Sequence, residues 1–264
     1  MGSFANVIDD HRRRDQRGGN ADQRCDYAGA DISLGGPHRT KPTRAGRTNA
    51  MGVIRDRTVA ALPLRLRWWL AQRGEYELAV RYLGGLSGVE IGGGAHNRFP
   101  VDAINIDRFG EMDTEYKDEE RRLARRALAV DIVAPGDDLP LEDKSVDFVL
   151  ASHVIEHFPD PVKALLEWER VASRYIFLVV PHRDRTFDSD RELTPVDELI
   201  ERHASGFSSD EDRHWSVWSC ESFVELCQRI GLSVIETEDP DKKVGNGFAV
   251  VIAASAGSSL SAEK

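Results

Sequence analysis

Beyond residue 87 the chain alternates short, nearly unbroken apolar runs with Gly-rich or polar turns and helix-patterned stretches, and this alternation constrains the fold most. Seven runs have strand length: 89–92, 103–106, 127–132, 146–152, 175–180, 233–236 and 248–253. Several show little inside–outside alternation, the pattern of strands covered on both faces of a parallel sheet. Helices fit between them. Asp160 is placed as an N-cap directly before Pro161, with Leu165, Leu166, Trp168 and Val171 as an apolar stripe. Ser219 opens a second helix with Phe223, Leu226, Cys227 and Ile230 on one face, and Gly231 closes it. The pattern predicts an α/β domain.

Charge narrows the partners. The chain carries 35 Lys and Arg against 45 Asp and Glu, a net of -10. Residues 1–50 hold eight Arg and Lys41 against six Asp, which leaves 26 basic against 39 acidic residues in the remainder. A body this acidic lacks the basic stripe of a nucleic-acid reader, so no nucleic-acid partner is expected and small molecules or sugars are favoured. The longest apolar stretches, 176–180 and 248–254, fall far short of the roughly 18 residues of a membrane span. No membrane insertion is expected. Arg12, Arg13 and Arg14 have no apolar run behind them, which argues against a secretory signal and for a cytoplasmic location.

The three cysteines show no C-x-x-C spacing, and Cys220 and Cys227 lie two helical turns apart, about 10 Å, too far for a disulfide. Residues 1–50, rich in Gly, Arg, Asp and Asn, are expected to form a disordered tail, and 257–264 a flexible C-terminus. Residues 51–85 read as an N-terminal helical segment interrupted at Pro63. Its alternative reading is a basic amphipathic helix, with Trp68 and Trp69, lying on a membrane surface.

Three stretches carry candidate chemistry. Glu90-Ile91-Gly92-Gly93-Gly94 runs a strand into three glycines, where the backbone can pass close under a ligand and offer N–H groups to it. A dinucleotide fingerprint would need glycine at 97, which is Asn97, so a hydride-transfer cofactor is disfavoured. His153-Val154-Ile155-Glu156-His157 fits the H-x-x-E-H pattern of a zinc hydrolase. His153 instead ends a strand, and Phe158-Pro159-Asp160-Pro161 stops any helix within a turn. The third stretch, 181–218, is too long for an ordinary loop and too aromatic for disorder, so it reads as a lid or substrate pocket.

Together these residues resemble the class I S-adenosylmethionine-dependent methyltransferases, of the type 11-like kind. Glu90–Gly94 is similar to their first motif, 104–107 (INID) to the second, 130–132 (VDI) to the third, and 145–157 to the fourth strand and its turn. The turn 92–97 is similar to that of carbohydrate- and natural-product-associated members. Only 13 residues separate Gly94 from Asp107, leaving little room for the family's usual first helix.

The resemblance, over residues 86–256, implies a Rossmann-like, doubly wound, seven-stranded, mostly parallel sheet with an antiparallel last strand. It implies S-adenosylmethionine as cofactor, with Glu90, Gly92 and Gly94 at its methionine end and Asp107 on the ribose. Asp131 and Ile132 would meet the adenine, and Ser152 and His153 the sulfonium side. O-methylation of a small-molecule or glycan hydroxyl is expected, with His182, or else His153, as base and no metal. Asp188, Arg191 and His214 would bind the acceptor. A noncatalytic binding module on the same fold and the zinc hydrolase are the alternatives.

Overall fold

In the computed structural model, which describes residues 76–255, the apolar runs assemble into one sheet. Its strands are β1 (Ser87–Ile91), β2 (Asp102–Asp107), β3 (Ile132–Val133), β4 (Val146–Ser152), β5 (Ala172–Pro181), β6 (Ser233–Glu238) and β7 (Gly247–Ala253). They lie in the order β3-β2-β1-β4-β5-β7-β6. Neighbours are parallel except β7, which runs antiparallel to both β5 and β6. The expected doubly wound sheet is therefore present, and its strand order reverses between β1 and β4. The carboxyl edge at that point is where open α/β sheets bind ligands. The expectations for residues 1–50, 51–75 and 257–264 lie outside the described residues.

Both faces of the sheet are covered, as the unbroken apolar runs predict. Val149, Ala151, Ile176, Leu178, Val250 and Ile252 face one core, and Phe148, Leu150, Phe177, Val179, Ala249 and Val251 face the other. The first core is closed by α3 (Pro161–Val171), α4 (Val196–Ser205) and α5 (Cys220–Arg229). Asp160 caps α3 by accepting from Lys163 N–H, and Leu165, Trp168 and Val171 are buried beneath it. Leu166, expected in that stripe, is instead exposed. Ser219 and Ser222 form a reciprocal capping box on α5, and Gly231 follows it with φ +83°.

The second core is closed by α1 (Glu77–Leu83) and by Phe99 from the β1–β2 connection. That connection contains no helix, in keeping with its shortness. The Phe99 ring takes the covering role, meeting Tyr76 and Phe177 edge-on at centroid distances of 5.1 and 6.0 Å.

Two expectations change. The third strand, expected over 127–132, is only Ile132–Val133. At its start Asp131 N–H donates to Asn105 O (2.9 Å), while Asn105 N–H donates to the Asp131 carboxylate (2.9 Å) and Asn105 Nδ2 to Ala129 O (3.0 Å), so side chains supply part of the pairing. The segment 181–218, read as a lid or substrate pocket too long for an ordinary loop, contains α4 and two 3-10 turns, Arg183–Arg185 and Phe187–Asp190. Leu199, Val217 and Trp218 anchor it in the core.

Candidate functional site

The chain turns sharply where β1 ends. Gly92 has φ +64°, and a Cβ there would meet Val154 Cγ2 at 2.9 Å; one on Gly93 would meet Asn105 Oδ1 at 2.8 Å. Only glycine lets the turn sit this low over the strand ends. Its N–H groups, expected to be open to a ligand, are largely taken within the protein. Gly92 N–H donates to Ile106 O (2.8 Å), Gly93 N–H to Asn105 Oδ1 (3.0 Å) and Ala95 N–H to Glu120 Oε2 (2.8 Å). The turn therefore contributes close approach rather than donors.

Acidic groups flank this cradle. Glu90 is buried on β1, and burial pushes its carboxyl up to about 7 against the lowering influence of Lys243 and Arg98. The Lys243 ammonium, from the β6–β7 loop, lies over the Phe99 ring at 3.3 Å from its centroid and donates to Asn97 O. Burial pulls its pKa down, with Glu90 and Asp241 acting in the opposite sense. Asp241 fixes that loop by accepting from the backbone N–H groups of Lys243, Val244, Gly245 and Gly247.

Asp107 ends β2; one carboxylate oxygen accepts from Phe109 N–H (3.0 Å), and no described residue donates to the other. Asp131 is exposed with one oxygen on Asn105 N–H, and Ile132 is half-buried opposite Ile106. Gly94 continues the turn, where a Cβ would crowd the His96 ring at 2.9 Å. Ser152 ends β4 and its Oγ accepts from Asn97 Nδ2 (2.8 Å). The fold thus brings Glu90, Gly92, Gly94, Asp107 and Ser152 to one edge of β1, β2 and β4, with Asp131 level with Asn105 and Glu90, two register steps behind Asp107.

His153 follows Ser152 in a left-handed conformation, φ +55°, uncommon for a residue with a side chain. Its Nε2 is buried without a hydrogen-bond partner, and burial holds its pKa below the ordinary value. Ile155–His157 form a 3-10 turn rather than an α-helix, so His153 and His157 do not chelate from one helix face as a zinc hydrolase requires. Trp215 N–H donates to Glu156 O (2.7 Å), which ties the far end of the 181–218 segment to this turn.

The remaining expected residues divide. His182 leaves the end of β5, and its Nδ1 accepts from Asp184 N–H (3.1 Å). The neutral ring then carries its hydrogen on Nε2 and presents a donor. Asp188 is buried with both oxygens engaged, one by Arg191 Nη1 (2.6 Å) and the other by His214 Nδ1 (2.6 Å). Those bonds outweigh the upward push of burial and hold its carboxyl below the usual range. Trp215 and Trp218 are buried, whereas the Phe187 ring is exposed and tilted against His214 at 4.6 Å.

Sequence reasoning missed Asn105, Lys243 and Asp212. Asn105 lies inside the second motif, but its bridging of Gly93 to Ala129 depends on two separate loops. Asp212 accepts from His157 Nδ1 at 2.8 Å across 55 residues, and no local pattern announces that pairing.

Residues 92–178 match a family model for a methyltransferase domain. An uncharacterized protein of Methanocaldococcus jannaschii is 30% identical over 113 residues, which are 43% of this chain and 52% of that protein. The chain thus spans about half the length of the curated relative it matches. Among solved structures, an SAM-dependent methyltransferase of Thermotoga maritima, a possible histamine N-methyltransferase, is 20% identical with a TM-score of 0.41. It covers 78% of this chain and 100% of its own. The magnesium protoporphyrin IX methyltransferase of Synechocystis, solved with bound SAH, is 13% identical, covers 78% and 96%, and has a TM-score of 0.42.

Proposed function

We propose that this chain, which carries a methyltransferase domain in residues 92–178, transfers a methyl group from S-adenosylmethionine to a hydroxyl of a small molecule or glycan. The observation that carries the reading is the cradle at the carboxyl edge: a turn only glycine can make, a buried carboxylate on one side and a strand-end carboxylate on the other. These features fit the cofactor chemically. Glu90 offers its charge to an ammonium, Asp107 has an oxygen open to ribose hydroxyls, and Gly92 and Gly94 leave room for the chain between them. Asp131 and Ile132 border the adenine, and Ser152 and His153 the sulfonium side.

When bound, the cofactor supplies an activated methyl group and departs as a neutral thioether. The protein has to align the acceptor oxygen with that methyl and take up one proton, worth roughly 10² to 10⁴ in rate for the proton step. His153 is the base in this reading. Its unpartnered Nε2 stands at the β4 end, whereas His182 Nε2 presents a hydrogen. The exposed Phe187 ring and the Arg191 guanidinium, oriented by Asp188, suit a sugar face and its hydroxyls. His214 reaches the acceptor only through the cluster it shares with Asp188.

The acidic body supports an acceptor that is neither nucleic acid nor strongly anionic. Screening neutral glycans and hydroxylated small molecules with labelled cofactor tests the assignment. His153→Ala should lower turnover by roughly 10² or more with SAH affinity retained, and His182→Ala by far less. The reverse ranking would return the base to His182. Methylation of protein or RNA at a competitive rate would overturn the acceptor class.

A further inference from the structure

We infer that Glu156, His157 and His214 form a binding site for a divalent first-row transition metal. The inference stands independently of the methyl-transfer reading. His157 Nε2 and His214 Nε2 each lie 4.0 Å from Glu156 Oε1, and one ligand atom from each residue falls within 4.8 Å of the others.

The orientation of the two rings makes this a built site rather than an encounter of polar groups. His157 Nδ1 is held at 2.8 Å from Asp212 Oδ1, and His214 Nδ1 at 2.6 Å from Asp188 Oδ2. A carboxylate cannot donate, so each Nδ1 carries a hydrogen, and the tautomer that binds a metal turns the lone pair of each Nε2 toward Glu156. A histidine fixed through one nitrogen by a carboxylate while the other points at a shared centre is how proteins orient imidazole metal ligands. Asp188 is itself held by Arg191, which keeps the second ring in place.

Glu156 supplies the second, independent observation. It is 1% exposed, its Oε2 has no partner, and neither carboxylate oxygen accepts a hydrogen bond from any described residue. A buried carboxylate left in this way is costly. Three imidazole nitrogens stand around its Oε1, His153 Nδ1 at 3.8 Å and His157 Nε2 and His214 Nε2 at 4.0 Å, none of them within hydrogen-bonding distance, and a cation held between the last two and Glu156 satisfies all three at once. Metal–nitrogen and metal–oxygen bonds of about 2.1 Å imply ligand separations of roughly 3.0–3.4 Å, so closure needs a contraction of about 0.6–1 Å for the two pairs with Glu156 and at most about 1.8 Å for ligand atoms 4.8 Å apart. The 3-10 turn and the 210–214 loop carry these side chains, and rotations about side-chain bonds span that distance.

Two imidazoles and one carboxylate favour zinc, manganese, iron or cobalt over magnesium or calcium, which prefer all-oxygen shells. Three protein ligands leave positions open. The arrangement differs from a zinc hydrolase, because Glu156 is a ligand and His153 is not. The chain stripped with EDTA, then dialysed against zinc or manganese chloride, should retain one equivalent by elemental analysis and melt at a higher temperature. Cobalt(II) should give visible d–d absorption characteristic of nitrogen ligation.

Glu156→Gln and His214→Ala should each lose the retained metal and the thermal shift. His203→Ala, whose ring pairs with Asp160 elsewhere, should keep both. Should a variant fail to fold, the cobalt spectrum of the unaltered chain decides. Absence of stoichiometric metal and of that spectrum in the unaltered chain, or retention unchanged in both ligand variants, overturns the site.

Discussion

The pH dependence of cofactor binding offers a severe test, because buried Glu90 and half-buried Lys243 beside the glycine turn push it in one direction. Burial raises the free-state pKa of Glu90 to about 7, so below neutrality the carboxyl is largely protonated. The cofactor's ammonium favours the charged form, and binding below that pH must expel a proton. Affinity should therefore rise with pH toward 7 and then level off.

If the cation returns Glu90 to an ordinary carboxylate pKa, binding between pH 5.5 and 8 should tighten roughly 30-fold, about 2 kcal/mol. Lys243 acts in the same sense. Its pKa is lowered by burial, so rising pH removes a like charge from the ammonium's surroundings. Isothermal titration with SAH in phosphate and Tris buffers reads both affinity and proton release. Glu90→Gln should bind more weakly above pH 7 and lose the larger part of the rise. Affinity that is flat or falls from pH 5.5 to 8 in the unaltered protein would refute the placement of the ammonium at Glu90.

Three further outcomes follow from the geometry. Asn105→Ala removes the bridge among Gly93 N–H, Gly93 O and Ala129 O. The buried groups left unpaired should cost about 2–3 kcal/mol, a fall of roughly 5–10 °C in Tm by calorimetry, and a change under 2 °C would contradict the bridge. Gly92→Val should lower Tm as well as affinity, since φ +64° costs a branched residue about 1–2 kcal/mol before its contact with Val154 is counted. Cys220 and Cys227 are buried, with their thiols pushed up to about 11 and about 12, so neither should react with a thiol reagent until the chain unfolds.

What could be read from the sequence was whatever depends on neighbouring residues. The unbroken apolar runs of β4, β5 and β7 announce strands buried on both faces, and Asp160-Pro161 announces the start of α3. The helix α2 (Glu115–Ala124) was not legible because it has no apolar stripe. Its buried positions are Lys117 and Glu120, which pair at 2.6 Å, and Glu120 then accepts from Ala95 and Leu128 N–H.

The site divides in the same way. The glycine turn is a local signal, whereas Lys243 reaches Phe99 and Asn97 from a loop some 145 residues away in sequence. His157 and His214 look like a turn residue and a lid residue until the fold places both beside Glu156.

Binding of S-adenosylmethionine at the carboxyl edge of β1, β2 and β4 is tested most simply by direct titration of the purified chain with SAH. One equivalent should bind with micromolar affinity. Asp107→Ala, which removes the carboxylate proposed to accept from the ribose, should weaken that affinity by about tenfold to a hundredfold while the protein stays folded. No saturable binding at millimolar SAH, or identical affinity in Asp107→Ala, would contradict the claim.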